Sequence, residues 1–148
     1  MNVWVFQDQP GVSTAAQLRK QGVGTTWTWN IDRYVRSETT PHVEKGDFVL
    51  QWQPAIDDLS PAGIYGLGVT LGDPYFQPNE KTNWQVEVKI LEVYHSPLGR
   101  DRIAHHPVLA RMQVIKMAQH IVFKVTDEEW DKLQGLLADL TEVQDQQQ

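Results

Sequence analysis

Cysteine is absent from the 148-residue chain. That excludes disulfide frameworks, thiol nucleophiles and Cys-ligated zinc. Long apolar runs are absent as well, and none approaches the roughly 20 residues of a membrane-spanning helix. The first residues, MNVWVFQDQP, have neither the basic start nor the apolar stretch of a signal peptide. A soluble, cytoplasmic protein with no membrane partner is the expectation. A basic excess is lacking too, since the formal net charge is −6. Bulk charge therefore cannot hold nucleic acid, because that attraction scales with the phosphates neutralised.

The charge is unevenly placed. From Thr126 onward seven acids face one base, whereas residues 1–125 carry 12 of each sign. Residues 80–125 hold seven bases against four acids. A local basic strip including Arg100, Arg102 and Arg111 is thus available for phosphate contacts.

With 41% hydrophobic and 22% charged residues, the chain is ordinary globular material for one domain. Val3–Gln7 alternates as a strand, and Asp8-Gln9-Pro10-Gly11 is turn chemistry. Ser13 suits the N-cap of a helix running to about Gln21 and ended by Gly22. The polar-aromatic segment Gly24–Asn30 follows no core period. It is predicted to be a loop leading into a short helix near Ile31–Val35. Strands are predicted from Phe48 to Gln53, Gly63 to Leu71, Trp84 to Tyr94 and His120 to Val125. Pro107 opens a short helix through Met112. Thr126 and Glu129 form a capping box for a C-terminal helix reaching about Leu140. Residues 1–140 read as a single α+β domain, a small barrel or curled sheet of about five or six strands with short helices and a C-terminal helix. Residues 141–148, an acidic and Gln-rich tail, are expected to be disordered.

Catalysis has little support. No serine sits in a G-x-S-x-G elbow. The adjacent His105 and His106 do not face one way, and no third ligand is spaced for a metal. No cofactor motif is present: Gly63–Gly68 mimics a dinucleotide fingerprint, but its glycines lie inside a strand. Glycines 66 and 68, at period two, mean that something approaches the backbone closely, either a packed aromatic or a ligand. An enzyme using His42, His95 or His120 with an Asp is the weakest alternative.

The six tryptophans are more informative. Trp4, Trp84 and Trp130 are in phase with core faces. Trp27 and Trp29 lie among hydrogen-bonding side chains, Thr25, Thr26, Thr28 and Asn30. A flat apolar wall edged by polar groups suits a planar polar ligand such as a nucleobase. Trp52 supplies a second wall if the end of its strand lies beside that segment.

The order of VWVFQDQP (residues 3–10), TWTWN (26–30), VEKGDFVLQW (43–52), AGIYGLG (62–68), Asp73-Pro74 and FKVT (123–126) with Trp130 and Leu133 resembles the EVE domain of the PUA-like superfamily. The likeness is to the form found beside modification-dependent restriction systems, and more distantly to YTH readers. It implies a curled β-barrel whose pocket takes a flipped, modified base, such as 5-methylcytosine or 5-hydroxymethylcytosine in DNA. Carried onto this chain, Trp27 becomes a cage wall and Thr26 and Thr28 its neighbours, with Trp29 and Asn30 beside them. Trp52 or Gln53 becomes the opposite side, and Gln9 reads the base edge. The function implied is a non-enzymatic reader without cofactor or metal, acting alone or as the recognition partner of a nuclease. A PUA-like RNA-binding module indifferent to modification is the alternative.

Overall fold

The computed structural model describes residues 1–8, 13–31, 42–55, 61–77, 84–116 and 122–146, with 141–146 described by their backbone. The strands are β1 (Val3–Gln7), β2 (Thr26–Asn30), β3 (Phe48–Gln53), β4 (Gly63–Thr70), β5 (Tyr75–Phe76), β6 (Trp84–Gly99) and β7 (Val122–Val125). The helices are α1 (Thr14–Gln21), α2 (Arg100–Ala104), α3 (Gln113–Lys116) and α4 (Asp127–Gln146), with a 3-10 turn at Leu109–Arg111. The α+β expectation holds.

One sheet runs in the order β2-β6-β4-β3-β1-β7, with β5 also on β6. Among the described residues only β1 and β3 pair in parallel, and the other pairs are antiparallel. The sheet is not closed, but it curls strongly. β1 and β2 lie four strands apart in the order, yet the rings of Phe6 and Trp29 meet edge to face at 5.7 Å. Register shifts in the β3–β4 and β4–β6 ladders supply the bending.

Alternation along the strands divides the core in two. Val3, Val5, Leu50 and Trp52 face α4 and the segment around Leu109. Trp4, Phe6, Val49, Trp29, Val86 and Val88 fill the concave inner side. Leu18 of α1 extends that side with Tyr65 and Ile90.

Three local expectations are corrected. Thr26–Asn30 is a strand paired along its length with β6, not a loop. Its Thr and Trp residues suit a pleated surface, and pairing overrides the missing core period. β6 continues through Ser96 and Pro97 to Gly99. Pro97 has no N–H for a ladder, and the register shift between Ile64 and Gly66 accommodates the irregularity. The backbone of α4 continues past Leu140 to Gln146. Its capping box is present, with Thr126 N–H donating to Glu129 Oε1 at 2.9 Å and Glu129 N–H to Thr126 Oγ1 at 3.2 Å. The short helix expected near Ile31–Val35 falls beyond Ile31 outside the described residues, as do Gln9 and His120.

The Lys45-Gly46-Asp47 turn locks three strands together. The Asp47 carboxylate, 2% exposed, accepts from Asn2 N–H, Trp4 Nε1 and Glu44 N–H at 2.9–3.0 Å. Its own N–H donates to Thr70 Oγ1 at 2.9 Å. Among the described residues no helix is long and apolar enough to cross a membrane.

Candidate functional site

Because TWTWN is a strand, its side chains alternate. Trp27 and Trp29 point to the concave side; Thr26, Thr28 and Asn30 are exposed on the outer side. There Thr28 Oγ1 donates to Glu87 Oε2 at 3.3 Å, and Asn30 Oδ1 accepts from Gln85 Nε2 at 2.8 Å. The Tyr75 hydroxyl joins this ladder, donating to Glu87 Oε1 at 2.6 Å. That hydrogen bond, then burial and the Glu87 charge, raises the phenol above its ordinary pKa. The three residues expected to rim the Trp27 wall thus lie on the opposite face, where Thr28 and Asn30 are hydrogen-bonded, a consequence of the two-residue period.

Trp27 is half-buried and stacks on Trp29, with centroids 5.2 Å apart and planes 15° from parallel. Trp29 itself is 3% exposed. One indole face of Trp27 is therefore occupied, and at most the other can take a ligand. Trp52 does not supply an opposing wall. It is 2% exposed and packs in the other core cluster with Val5, Tyr94 and Leu98. The parity of β3 turns Trp52 away from the side that carries Trp27.

That parity brings forward Gln53, which was expected at the site, and Gln51, which was not. Both are 0% exposed. Gln53 Oε1 accepts from Ala15 N–H at 3.0 Å, tying β3 to the first turn of α1. Among the described residues Gln53 Nε2 has no partner, and neither polar atom of Gln51 has one. Trp29 Nε1 is also unpartnered. Leaving a buried polar group unmet costs about 1–3 kcal/mol, so such a concentration on one concave face calls for a bound partner.

Gly66 explains how the Gln51 amide fits. It lies opposite Gln51 in the β3–β4 ladder. A Cβ there would stand 2.6 Å from Gln51 Oε1 and 2.9 Å from Leu18 Cδ1. At Gly68 it would run into Val88 Cγ1 and the Lys89 carbonyl. The close approach inferred from the two glycines is real, but packed side chains make it, and none of them is aromatic.

The predicted phosphate contacts separate. Arg100 and Arg102 are exposed and, with Asp101 between them, flank a groove of about 590 Å³ with Ala55, Pro61, Ala62 and Gly99, where two bases face one acid. The groove opens at the end of the sheet where Gln53 pairs with Gly63, and Gly63 with Gly99. Arg111 lines a different groove, of about 480 Å³, beside Glu128 and Glu129. Acids there oppose an anionic backbone.

Three of the histidines, His42, His105 and His106, contact near neighbours in sequence. His42 Nε2 lies 3.1 Å from Glu44 Oε1. His106 Nδ1 accepts from Val108 and Leu109 N–H at 3.1 and 3.3 Å, and His105 Nδ1 lies 2.6 Å from Asp101 O. Among the described residues no group of three His, Asp or Glu side chains is placed to hold a metal.

Comparison with known proteins follows from this geometry. The family model of the EVE domain matches residues 2–136. No curated protein matches the sequence significantly. Among solved structures, the chain is similar to a Leishmania major protein at TM-score 0.69 and 19% identity, with 97% of each chain covered. It is similar to a Rhodopseudomonas palustris protein at TM-score 0.64 and 22% identity, over 93% of this chain and 95% of that one. It is also similar to human THYN1, solved in complex with DNA containing 5-methylcytosine. That match has TM-score 0.66 and 16% identity, over 92% of this chain and 97% of that one.

Proposed function

This chain belongs to the EVE domain family, and on that premise we propose that it is a non-enzymatic nucleic-acid-binding protein that holds a flipped, modified base against Trp27. The observation that carries the reading is the inner face itself. A half-buried indole, backed by a second ring at 5.2 Å, stands on the same concave side as the buried Gln51 amide and Gln53 Nε2, which have no partner among the described residues. A stacking wall beside unmet hydrogen-bonding groups is what a single heterocycle requires. The DNA complex of human THYN1, a protein of the same fold, supports a modified cytosine in DNA as the first ligand to test.

The energetics favour modest affinity. Extracting a base costs a few kcal/mol. Stacking on the one available face of Trp27 returns roughly 1–3 kcal/mol. With Trp52 in the core, no second indole adds to this. Net binding therefore rests on phosphate contacts, for which Arg100 and Arg102 share a groove and Arg111 does not. Gln9, the residue after Asp8 in sequence, lies outside the described residues and stays a candidate contact to the same base. Cytoplasmic location and a nuclease partner are part of the same proposal.

The test is titration of wild type and Trp27→Ala with oligonucleotides carrying one 5-methylcytosine, 5-hydroxymethylcytosine or N6-methyladenine, against the unmodified strand. Wild type prefers one of the modified strands, and Trp27→Ala weakens that complex roughly tenfold or more, the equivalent of one stacked base. If wild type binds all strands alike and only Arg100→Ala weakens binding, the protein is a modification-independent RNA- or DNA-binding module.

A further inference from the structure

Gln51 and Gln53 carry more information than their burial. The Gln53 amide is oriented, because its oxygen accepts from Ala15 N–H and only its nitrogen is left over. The Gln51 amide is unbound at both ends. The two side chains together thus present one acceptor and two donors on the concave face. Gln51 Oε1 and Leu18 meet at the empty Cβ position of Gly66, and Leu18 and Trp27 share a cluster. The amides and the stacking ring therefore border the same part of the interior.

We propose that Gln51 reads the hydrogen-bonding edge of the base held by Trp27, with Gln53 Nε2 beside it, and that the pair selects pyrimidines over guanine. The inference rests on the base-binding reading above and deepens it. A cytosine edge offers an N4 donor and the N3 and O2 acceptors, which meet Gln51 Oε1, Gln51 Nε2 and Gln53 Nε2 in that order. A thymine or uracil edge has its one donor in the middle, and is met once the Gln51 amide turns over. Nothing in the fold opposes that turn, since neither of its atoms is bound. Adenine satisfies Gln51 but leaves the Gln53 donor unmet. Guanine brings two donors, N1–H and N2–H, to a set with one acceptor. Both amides are closed to solvent, so a base reaches them by displacing packed side chains. A mismatched edge then has no water to complete its hydrogen bonds, and that makes buried polar groups selective.

The experiment measures binding of wild type, Gln51→Met and Trp27→Ala to one oligonucleotide series. The series varies a single unpaired position among 5-methylcytosine, thymine, N6-methyladenine and guanine. Melting temperatures are recorded alongside. Wild type is expected to bind both pyrimidines at least tenfold more tightly than guanine, about 1.4 kcal/mol. Gln51→Met is expected to bring that ratio below threefold while melting at the same or a higher temperature, because methionine fills the space without an unmet amide. A ratio unchanged in Gln51→Met overturns the assignment, and so does a lowered melting temperature, which would show the amide to be bonded within the fold. Wild type that ranks no base above another overturns the base-binding reading itself.

Discussion

Asp47 and Gln51 are four residues apart, both almost fully buried, and opposite in character. The Asp47 carboxylate has three N–H donors around it and belongs to a network that also takes in Thr70. The Gln51 amide has none. The first is a clamp that holds β1, β3 and β4 in register. The second costs stability and returns nothing within the fold. Burial alone therefore does not distinguish scaffold from site in this protein; the accounting of hydrogen bonds does.

The contrast breaks most readily at Asp47. Asp47→Ala strands the Asn2, Trp4 and Glu44 donors and is expected to cost about 3 kcal/mol. For a domain of this size that lowers the melting temperature by roughly 10 °C, readable by calorimetry. Gly66→Ala tests the other side of the contrast. The added Cβ meets the Gln51 amide, Leu18 and Glu92 O within 3.1 Å, and a loss of about 2 kcal/mol in a denaturant titration is expected from overpacking. A variant as stable as wild type would mean that the amide moves freely aside.

Tyr94 sharpens the comparison as a second satisfied buried group. Its hydroxyl donates to Glu92 Oε2 at 2.6 Å. Burial first, then this bond and the Glu92 charge, raise the phenol well above the ordinary tyrosine range. Above pH of about 10 the unfolded chain releases this proton and the folded one keeps it, so folding stability declines as pH rises from there. Tyr94→Phe is expected to cost about 1.5 kcal/mol at neutral pH and to flatten that alkaline decline in pH-dependent unfolding. The smallest effect belongs to the exposed cap of α4. Thr126→Ala removes one half of the capping box and should cost about 1 kcal/mol, without altering oligonucleotide binding.

The same distinction explains what was legible in the residues. The capping box at Thr126 and Glu129, the Ser13 cap and the alternation of β1 and β3 are local signals, and the structure contains each of them. The Trp27–Trp29 pair was recognisable as unusual because no apolar period explained it. Its surroundings were misread. The threonines and Asn30 belong to the opposite face once the segment pairs with β6, and Trp52 turns into the core beneath α4. Gln51 looked like the polar member of an alternating strand. The only hint of its position was the glycine at 66, which announced a close neighbour without naming it.

Local chemistry in the chain determined where α1 and α4 start, which residues of β1 and β3 alternate, and that the sequence has neither thiols nor a long apolar run. Those properties depend on neighbours within a few residues. Only the tertiary structure decided which faces look inward, that Trp27 stays half-buried while Trp52 is sealed in the core, and that the Gln51 amide and Gln53 Nε2 are buried without a partner among the described residues. Those depend on the curl of the sheet, which brings β2 across to β1 and sets α1 over β3. No short-range pattern encodes a contact between strands that stand four places apart in the sheet order.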